Sequence, residues 1–282
     1  MEVVAHRGAS AEAPEHTLAA YRQAVTAGVD AVECDVRLTR DGVLVCVHDR
    51  RIDETSSGRG VVSTLTLTDL EQFHFRARGS SGRTGPLEPV VDEAAVADEV
   101  DVEAGRVLTV DRLLEYVTST PGQVRLAIET KHPTRYGRRV EVALIETLRR
   151  FGLMAGSRPV QWAGRPAVRV MSFSPLALRR VHALAPELPT VQLTRRVHPL
   201  AGAAPPHVTG VGLPVALLRR YPGSVARAQS AGKEVLVYTV NDDRDVDLAL
   251  SLGVDAAITD RPLAVLERLG RGNPQVAHPP AS

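Results

Sequence analysis

Glu33 and Asp35 stand two residues apart in a run of strand character, and His48 closes a second such run within the stretch VECDVRLTRDGVLVCVHD, residues 32–49. Successive side chains of a strand point to opposite faces, so both carboxylates share one side while Val32, Cys34 and Val36 take the other. Two carboxylates on one face attract a cation. Residues 39–42, Thr-Arg-Asp-Gly, have the composition of a turn, and the valine-rich run 43–47 delivers the imidazole of His48 beside the acids. Surface strands carry Glu-x-Asp pairs by chance; the spacing to the histidine is what lifts this pair above that background.

Other strand-like runs end in the same kind of chemistry. Residues 3–5 lead into His6-Arg7-Gly8, and the run 124–129 ends in Glu129-Thr130-Lys131, whose lysine is one of only two in the chain, with Lys233. In a parallel barrel the functional rim is the carboxyl end of the strands. His6, Arg7, Glu33, Asp35, His48, Glu129 and Lys131 would then gather on one rim. Three carboxylates suit a hard divalent cation, Mg²⁺ or Ca²⁺ with Mn²⁺ as a further candidate, better than zinc, which favours His and Cys. Arg7 can hold a phosphate oxygen by its fork, and Lys131 can act as a point charge on another. Two histidines can serve as base and acid across a phosphorus centre. The parts describe metal-assisted cleavage of a phosphate ester, with His6 as base and His48 as acid for a working assignment.

The elements that must position these groups alternate along the chain. Thr17 can cap a helix whose apolar positions Leu18, Tyr21 and Val25 keep helical spacing until Gly28. Between Glu33 and His48 there is too little chain for a helical crossover, so the barrel should be irregular there. A short helix is predicted from Asp69 to about Phe75. Residues 76–106 then carry Gly79-Ser80-Ser81-Gly82 and an acidic run, and are read as an insertion, either a lid or decoration. Beyond it helices are predicted over 110–117, 138–151, from Ser174-Pro175 to about 185, up to Gly232, over 243–252 and from Asp260-Arg261-Pro262 onward. Strands are expected at 124–129, 168–173, 190–193, 208–213, 235–240 and 256–259. Repeated strand and helix units imply parallel strands covered by helices.

A chain of 282 residues that is 44% hydrophobic can bury one large core, and α/β barrels of about 250 residues commonly form one domain. The expectation is a single (β/α)8 barrel over 1–270, irregular around its second and third strands, with an insertion at about 50–108 and a disordered tail at 271–282. Lys and Arg (34) nearly cancel Asp and Glu (33), for a formal net charge of +1, which argues against a nucleic-acid surface. Cys34 and Cys46 make no disulfide framework and are read as buried thiols. No apolar run approaches the roughly 18 to 20 residues of a membrane span, and the N-terminus enters a strand pattern at once, leaving no room for a signal peptide. A cytoplasmic protein is expected, and the sequence sets no oligomeric state.

His6-Arg7-Gly8, Pro14-Glu15-His16-Thr17, Glu33-x-Asp35 with Thr39-x-Asp41-Gly42 and His48-Asp49, Glu129-Thr130-Lys131, Ser172-Phe173, residues 238–242 (Tyr-Thr-Val-Asn-Asp) and Gly253-Val254-Asp255 to Thr259-Asp260 resemble, in order and end to end, the motifs of the glycerophosphodiester phosphodiesterase family. The resemblance implies a (β/α)8 barrel that hydrolyses small glycerophosphodiesters to sn-glycerol 3-phosphate and an alcohol with a divalent metal. Carried over residue by residue, it implies metal ligation by Glu33, Asp35 and Glu129, acid and base chemistry by His6 and His48, and phosphate contacts from Arg7 and Lys131. The chain departs from the family where His16 replaces a usual Asn and Tyr238 a usual Trp, and where Glu54-Thr55-Ser56 follows His48-Asp49 in place of an Arg-Thr-Thr-like segment. Tyr238 keeps an aromatic wall for a glycerol or head group.

Blander readings stand beside these. Arg7 could merely pair with Glu33 or Asp35, and Lys131 with Glu129; Glu15 is as easily a helix-dipole partner as a site residue. His16, His74, His132, His182, His198, His207 and His278 are read as surface or structural. Two other functions compete: a lysophospholipase D-like hydrolase or cyclising lyase on lysophospholipids, and a catalytically silent barrel acting as a binding module.

Overall fold

The computed structural model describes residues 1–76, 105–195 and 204–272. Eight strands close into a parallel barrel: β1 (Glu2–His6), β2 (Ala31–Leu38), β4 (Arg125–Thr130), β5 (Val168–Ser172), β6 (Thr190–Leu193), β7 (Gly210–Pro214), β8 (Glu234–Tyr238) and β9 (Ala256–Thr259), with β1 pairing both β2 and β9. The remaining long-sheet strand, β3 (Leu44–Cys46), is no stave of the barrel. It folds back antiparallel on β2, with Val36 opposite Cys46 and Leu38 opposite Leu44. The expected irregularity at the second and third strands is therefore a hairpin, because a turn at 39–42 permits only an antiparallel return. His48 follows that hairpin, not the carboxyl end of a parallel strand.

Strand alternation builds the interior. Val4, Ala31, Ala127, Met171, Leu193, Leu236 and Ile258 form one buried apolar cluster, while their neighbours Val3, Ala5, Val32, Val170, Val235 and Val237 belong to a separate core that also holds helical residues such as Tyr21, Leu144 and Leu266. The period of two thus sorts each strand between the inside of the barrel and the layer beneath the helices.

Helices follow their predicted signals closely. Thr17 accepts from the Ala20 amide to cap α1 (Leu18–Ala27), which Gly28 ends in a left-handed conformation; Ser174 accepts from the Ala177 amide before α5 (Pro175–Leu184). Two boundaries differ from expectation. The short helix α2 runs Leu67–Glu71, since Thr66 and Asp69 form a capping box that starts it earlier. The helix expected up to Gly232 is two, α6 (Val215–Arg220) and α7 (Gly223–Ser230), because Pro222 drives Tyr221 out of the helical region, to φ −140° and ψ 68°. Between these lie α3 (Val110–Ser119) and α4 (Arg139–Arg150), and α8 (Asp243–Ser251) and α9 (Pro262–Arg268) complete the set. Most of the expected insertion (77–104), the stretch 196–203 with His198 and most of the tail (273–282) lie outside the described residues.

The turn after β1 is locked onto α1. Gly8 has φ +84°, and a Cβ there would stand 2.7 Å from the Ala20 carbonyl carbon and 2.8 Å from its Cβ. Gly8→Ala is expected to destabilise the chain by about 1–3 kcal/mol, from left-handed strain plus overpacking, read as a lower midpoint in chemical denaturation.

Candidate active site

The site residues continue the barrel's interior faces. Two positions beyond the interior Val4 stands His6; beyond Ala31 come Glu33 and Asp35; beyond Ala127 come Glu129 and Lys131; beyond Leu193, Leu236 and Ile258 come Arg195, Tyr238 and Asp260. The same alternation that fills the barrel with apolar side chains below presents charge above. His6, Arg7, Glu33, His48, Glu129, Lys131 and Tyr238 line one cavity of about 220 Å³, together with Phe173 and Arg195. Asp35 stands behind them, touching Arg7 and Lys131. Every residue expected at the site is therefore brought together.

Glu33, Asp35 and Glu129 are buried and each offers an oxygen within 4.8 Å of the others. The resident cations favour Asp35: Lys131 Nζ is 2.8 Å from its Oδ1, Arg7 Nε 3.1 Å from its Oδ2 and His16 Nε2 3.0 Å from the same oxygen. Burial pushes Asp35 up, but these partners win and hold it well below the ordinary carboxylate range. Glu33 is pushed well above that range by burial and the Asp35 charge, and Glu129 rises to about 7 for the same reasons, despite Lys131 at 2.7 Å. Three acids therefore crowd around fewer positive charges than they need. A set of buried hard oxygen donors with excess negative charge fits a divalent cation.

Both cavity histidines are backed by a carboxylate. His6 Nδ1 lies 2.5 Å from Asp260 Oδ1, and His48 Nδ1 lies 2.8 Å from Asp49 Oδ1. Each therefore keeps Nε2 for the cavity. Asp260 is itself clamped by Asn241 Nδ2 at 2.6 Å and Ser10 Oγ at 3.1 Å. Burial raises it, yet these hydrogen bonds and the His6 contact hold it at about 2. His48 is pushed down to about 4 by burial, with Lys131 and Arg7 adding to the effect against the pull of Asp35 and Asp49. Arg37 fixes the loop by donating from Nε (3.1 Å) and a terminal nitrogen (2.6 Å) to the His48 carbonyl.

Arg7 does pair with the acids, as the blander reading has it, and also with Glu15 at 2.9 Å, while its amide donates to Glu33 Oε2 at 3.0 Å. Tyr238 donates its hydroxyl to the Thr194 carbonyl and sets its ring edge-on to Phe173, centroids 6.0 Å apart, so it offers the cavity a ring and not a hydroxyl. Sequence reasoning missed Asp260, Asn241, Arg37 and Arg195. Arg195 stacks on Phe173 at 4.9 Å and adds a cation to the cavity wall. Asp260 stands in one of the motifs and shares the parity of Ile258, but neither signal gave it a role.

His16 proves to be neither surface nor incidental. Asp35 is anionic, so the His16 Nε2 facing it carries the proton, while Nδ1 lies 2.9 Å from the Tyr21 hydroxyl, which itself donates to the Glu33 carbonyl at 3.1 Å. Burial holds the ring neutral against the pull of Asp35. His16→Leu, which leaves Asp35 Oδ2 without this donor, is expected to weaken divalent-cation affinity about 10- to 100-fold while His16→Asn loses less; calorimetric titration of Mg²⁺ or Ca²⁺ measures both.

The model of the glycerophosphoryl diester phosphodiesterase family matches residues 6–264. The chain belongs to that family. It is 43% identical over 254 residues to "Probable glycerophosphodiester phosphodiesterase 1" of Mycobacterium tuberculosis, covering 89% of this chain and 86% of the relative. It is 32% identical over 266 residues to the glycerophosphodiester phosphodiesterase of Bacillus subtilis, covering 92% and 83%. Among solved structures, an Oleispira antarctica phosphodiesterase in complex with the product sn-glycerol-3-phosphate shares the fold at TM-score 0.77 and 23% identity, covering 96% of this chain and 97% of that one. As an enzyme the chain is thus a glycerophosphodiester phosphodiesterase by family, and the resemblance read from its motifs holds over nearly its whole length. No helix among the described residues is long and apolar enough to cross a membrane.

Proposed function

We propose that the enzyme hydrolyses glycerophosphodiesters to sn-glycerol 3-phosphate and an alcohol, using a divalent cation at Glu33, Asp35 and Glu129 and acid and base chemistry at His6 and His48. The observation that carries this reading is the convergence of two carboxylate-backed imidazoles and a buried acid triad on one small cavity. A bound Mg²⁺, Ca²⁺ or Mn²⁺ would supply charge neutralisation for the phosphate oxygens. Arg7 and Lys131 orient and neutralise the phosphate beside it, with Arg195 as a further cation on the cavity wall.

The electrostatics favour exchanging the two histidine roles of the working assignment. His48, held at about 4, is neutral near pH 7 and so is in the form that accepts a proton from the attacking hydroxyl. His6 is oriented through Nδ1 by an Asp260 kept anionic, which turns its Nε2 toward the place of the departing oxygen and suits it to the acid's role. Water or the substrate's own glycerol hydroxyl can be the nucleophile in this arrangement. The reading includes a reducing cytoplasmic setting, supported by two buried cysteines that remain thiols.

The decisive experiment follows sn-glycerol 3-phosphate release from glycerophosphocholine and glycerophosphoethanolamine with Mg²⁺ or Ca²⁺ and with EDTA, and choline release from lysophosphatidylcholine alongside. Metal-dependent release from the two diesters is expected. Turnover of the lysophospholipid alone, or of none, would sink the proposal.

A further inference from the structure

A second cavity of about 480 Å³ opens beside the catalytic one, and Lys131 stands in the wall of both. It lies between the segment after the β2–β3 hairpin and the loop after β4, and its charged lining is of one sign: Arg37, Arg50, Lys131 and Arg135. Among the described residues no carboxylate and no aromatic ring lines it, and Leu38, Val62 and Val140 add apolar surface. Several surface arginines elsewhere in the chain pair with acids, as Arg150 does with Asp111 and Arg268 with Asp247. Among the described residues Arg37, Arg50 and Arg135 make no such ion pair, although like charges held around one cavity repel.

The shared lysine sets the two cavities side by side. With glycerol and phosphorus in the catalytic cavity and Lys131 against a phosphate oxygen, the group on the far side of phosphorus is directed into the second cavity. We propose that this cavity is the subsite for the alcohol half of the diester and selects alcohols that carry an anionic group, a second phosphate above all; this rests on the phosphodiesterase reading. A phosphate there meets the guanidinium forks of Arg50 and Arg135, Arg37 being held on the His48 carbonyl, and such forks bind it by paired, charge-assisted hydrogen bonds. A choline or ethanolamine group instead brings a cation against arginines, with neither a carboxylate nor an aromatic cage to hold it.

Steady-state kinetics on three diesters test this: glycerophosphoglycerol, the same molecule bearing a terminal phosphate, and glycerophosphocholine. The phosphorylated substrate is expected to show kcat/KM about tenfold or more above both others, the scale of one well-made charge-assisted contact, and the preference should shrink as salt is added. In Arg50→Gln and Arg135→Gln the ratio of phosphorylated to neutral substrate should fall by about fivefold, and Arg135→Glu should move preference toward the choline diester. Both side chains are exposed, and an unchanged melting temperature confirms that the variants fold. Equal kcat/KM for all three substrates, or an Arg135→Glu variant with the parent's ratio, overturns the subsite and leaves the phosphodiesterase reading standing. Release from none of the three overturns that reading and takes the subsite with it.

Discussion

Glu33→Gln is expected to lower turnover by on the order of 10²–10³-fold or more, since it removes a carboxylate from the charge that holds the cation and with it the transition-state stabilisation that cation supplies. The same substitution should raise the melting temperature of the chain in EDTA. Glu33 is raised well above its ordinary value by burial and by Asp35, so the fold disfavours its ionised form. For an acid shifted upward the penalty is absent below the unfolded value and grows as pH rises through it, so stability is lost with rising pH. Glutamine removes a charge that the metal-free fold opposes. The gap between variant and parent in EDTA should therefore widen as pH rises above the ordinary glutamate range, and close or reverse in saturating divalent cation, which binds only the parent well. Differential scanning fluorimetry reads both arms. A variant less stable than the parent at high pH in EDTA would contradict the account of three acids short of positive charge.

The second large effect separates the histidines. His48→Ala should lose about 10²–10⁴-fold on every diester, because no proton acceptor remains for the nucleophile. His6→Ala should lose as much on glycerophosphocholine, yet recover most of its rate on a p-nitrophenyl diester, whose leaving group departs as a stable anion without a proton. If the rescue appears in His48→Ala instead, the roles revert to base at His6 and acid at His48. In the parent at saturating divalent cation, which keeps the three acids ionised, a base whose pKa is lowered to about 4 is deprotonated above that value, so the acid limb of kcat/KM should fall only as pH approaches about 4.

Much of this site could be read along the chain because each member sits next to a local signal. Glu33 and Asp35 declare themselves by alternation, Glu129 and Lys131 by ending an apolar run, and the hairpin by the short distance to His48. What escaped depends on contacts made across the fold. Asp260 looks locally like a helix starter before Pro262, and its pairing with His6 spans 254 positions, which no local pattern reports. His16 lies at φ +61°, and that turn, not any helical or strand period, swings its ring onto Asp35. The break at Pro222 was a local signal overlooked, whereas the merging of nine strand-like runs into eight staves and one hairpin needed the closed barrel to decide it.

The two imidazole dyads differ in how far the chain must travel to make them. His48 and Asp49 are neighbours on a hairpin that already carries Glu33 and Asp35, so this half of the machinery can assemble early from local contacts. His6 and Asp260 come from the first and last strands, and meet only where β1 pairs with β9. Their hydrogen bond doubles as a latch on ring closure. On the roles proposed above, a chain whose terminal strand frays loses the carboxylate behind its proton donor, so the proposed chemistry waits on the meeting of the two ends.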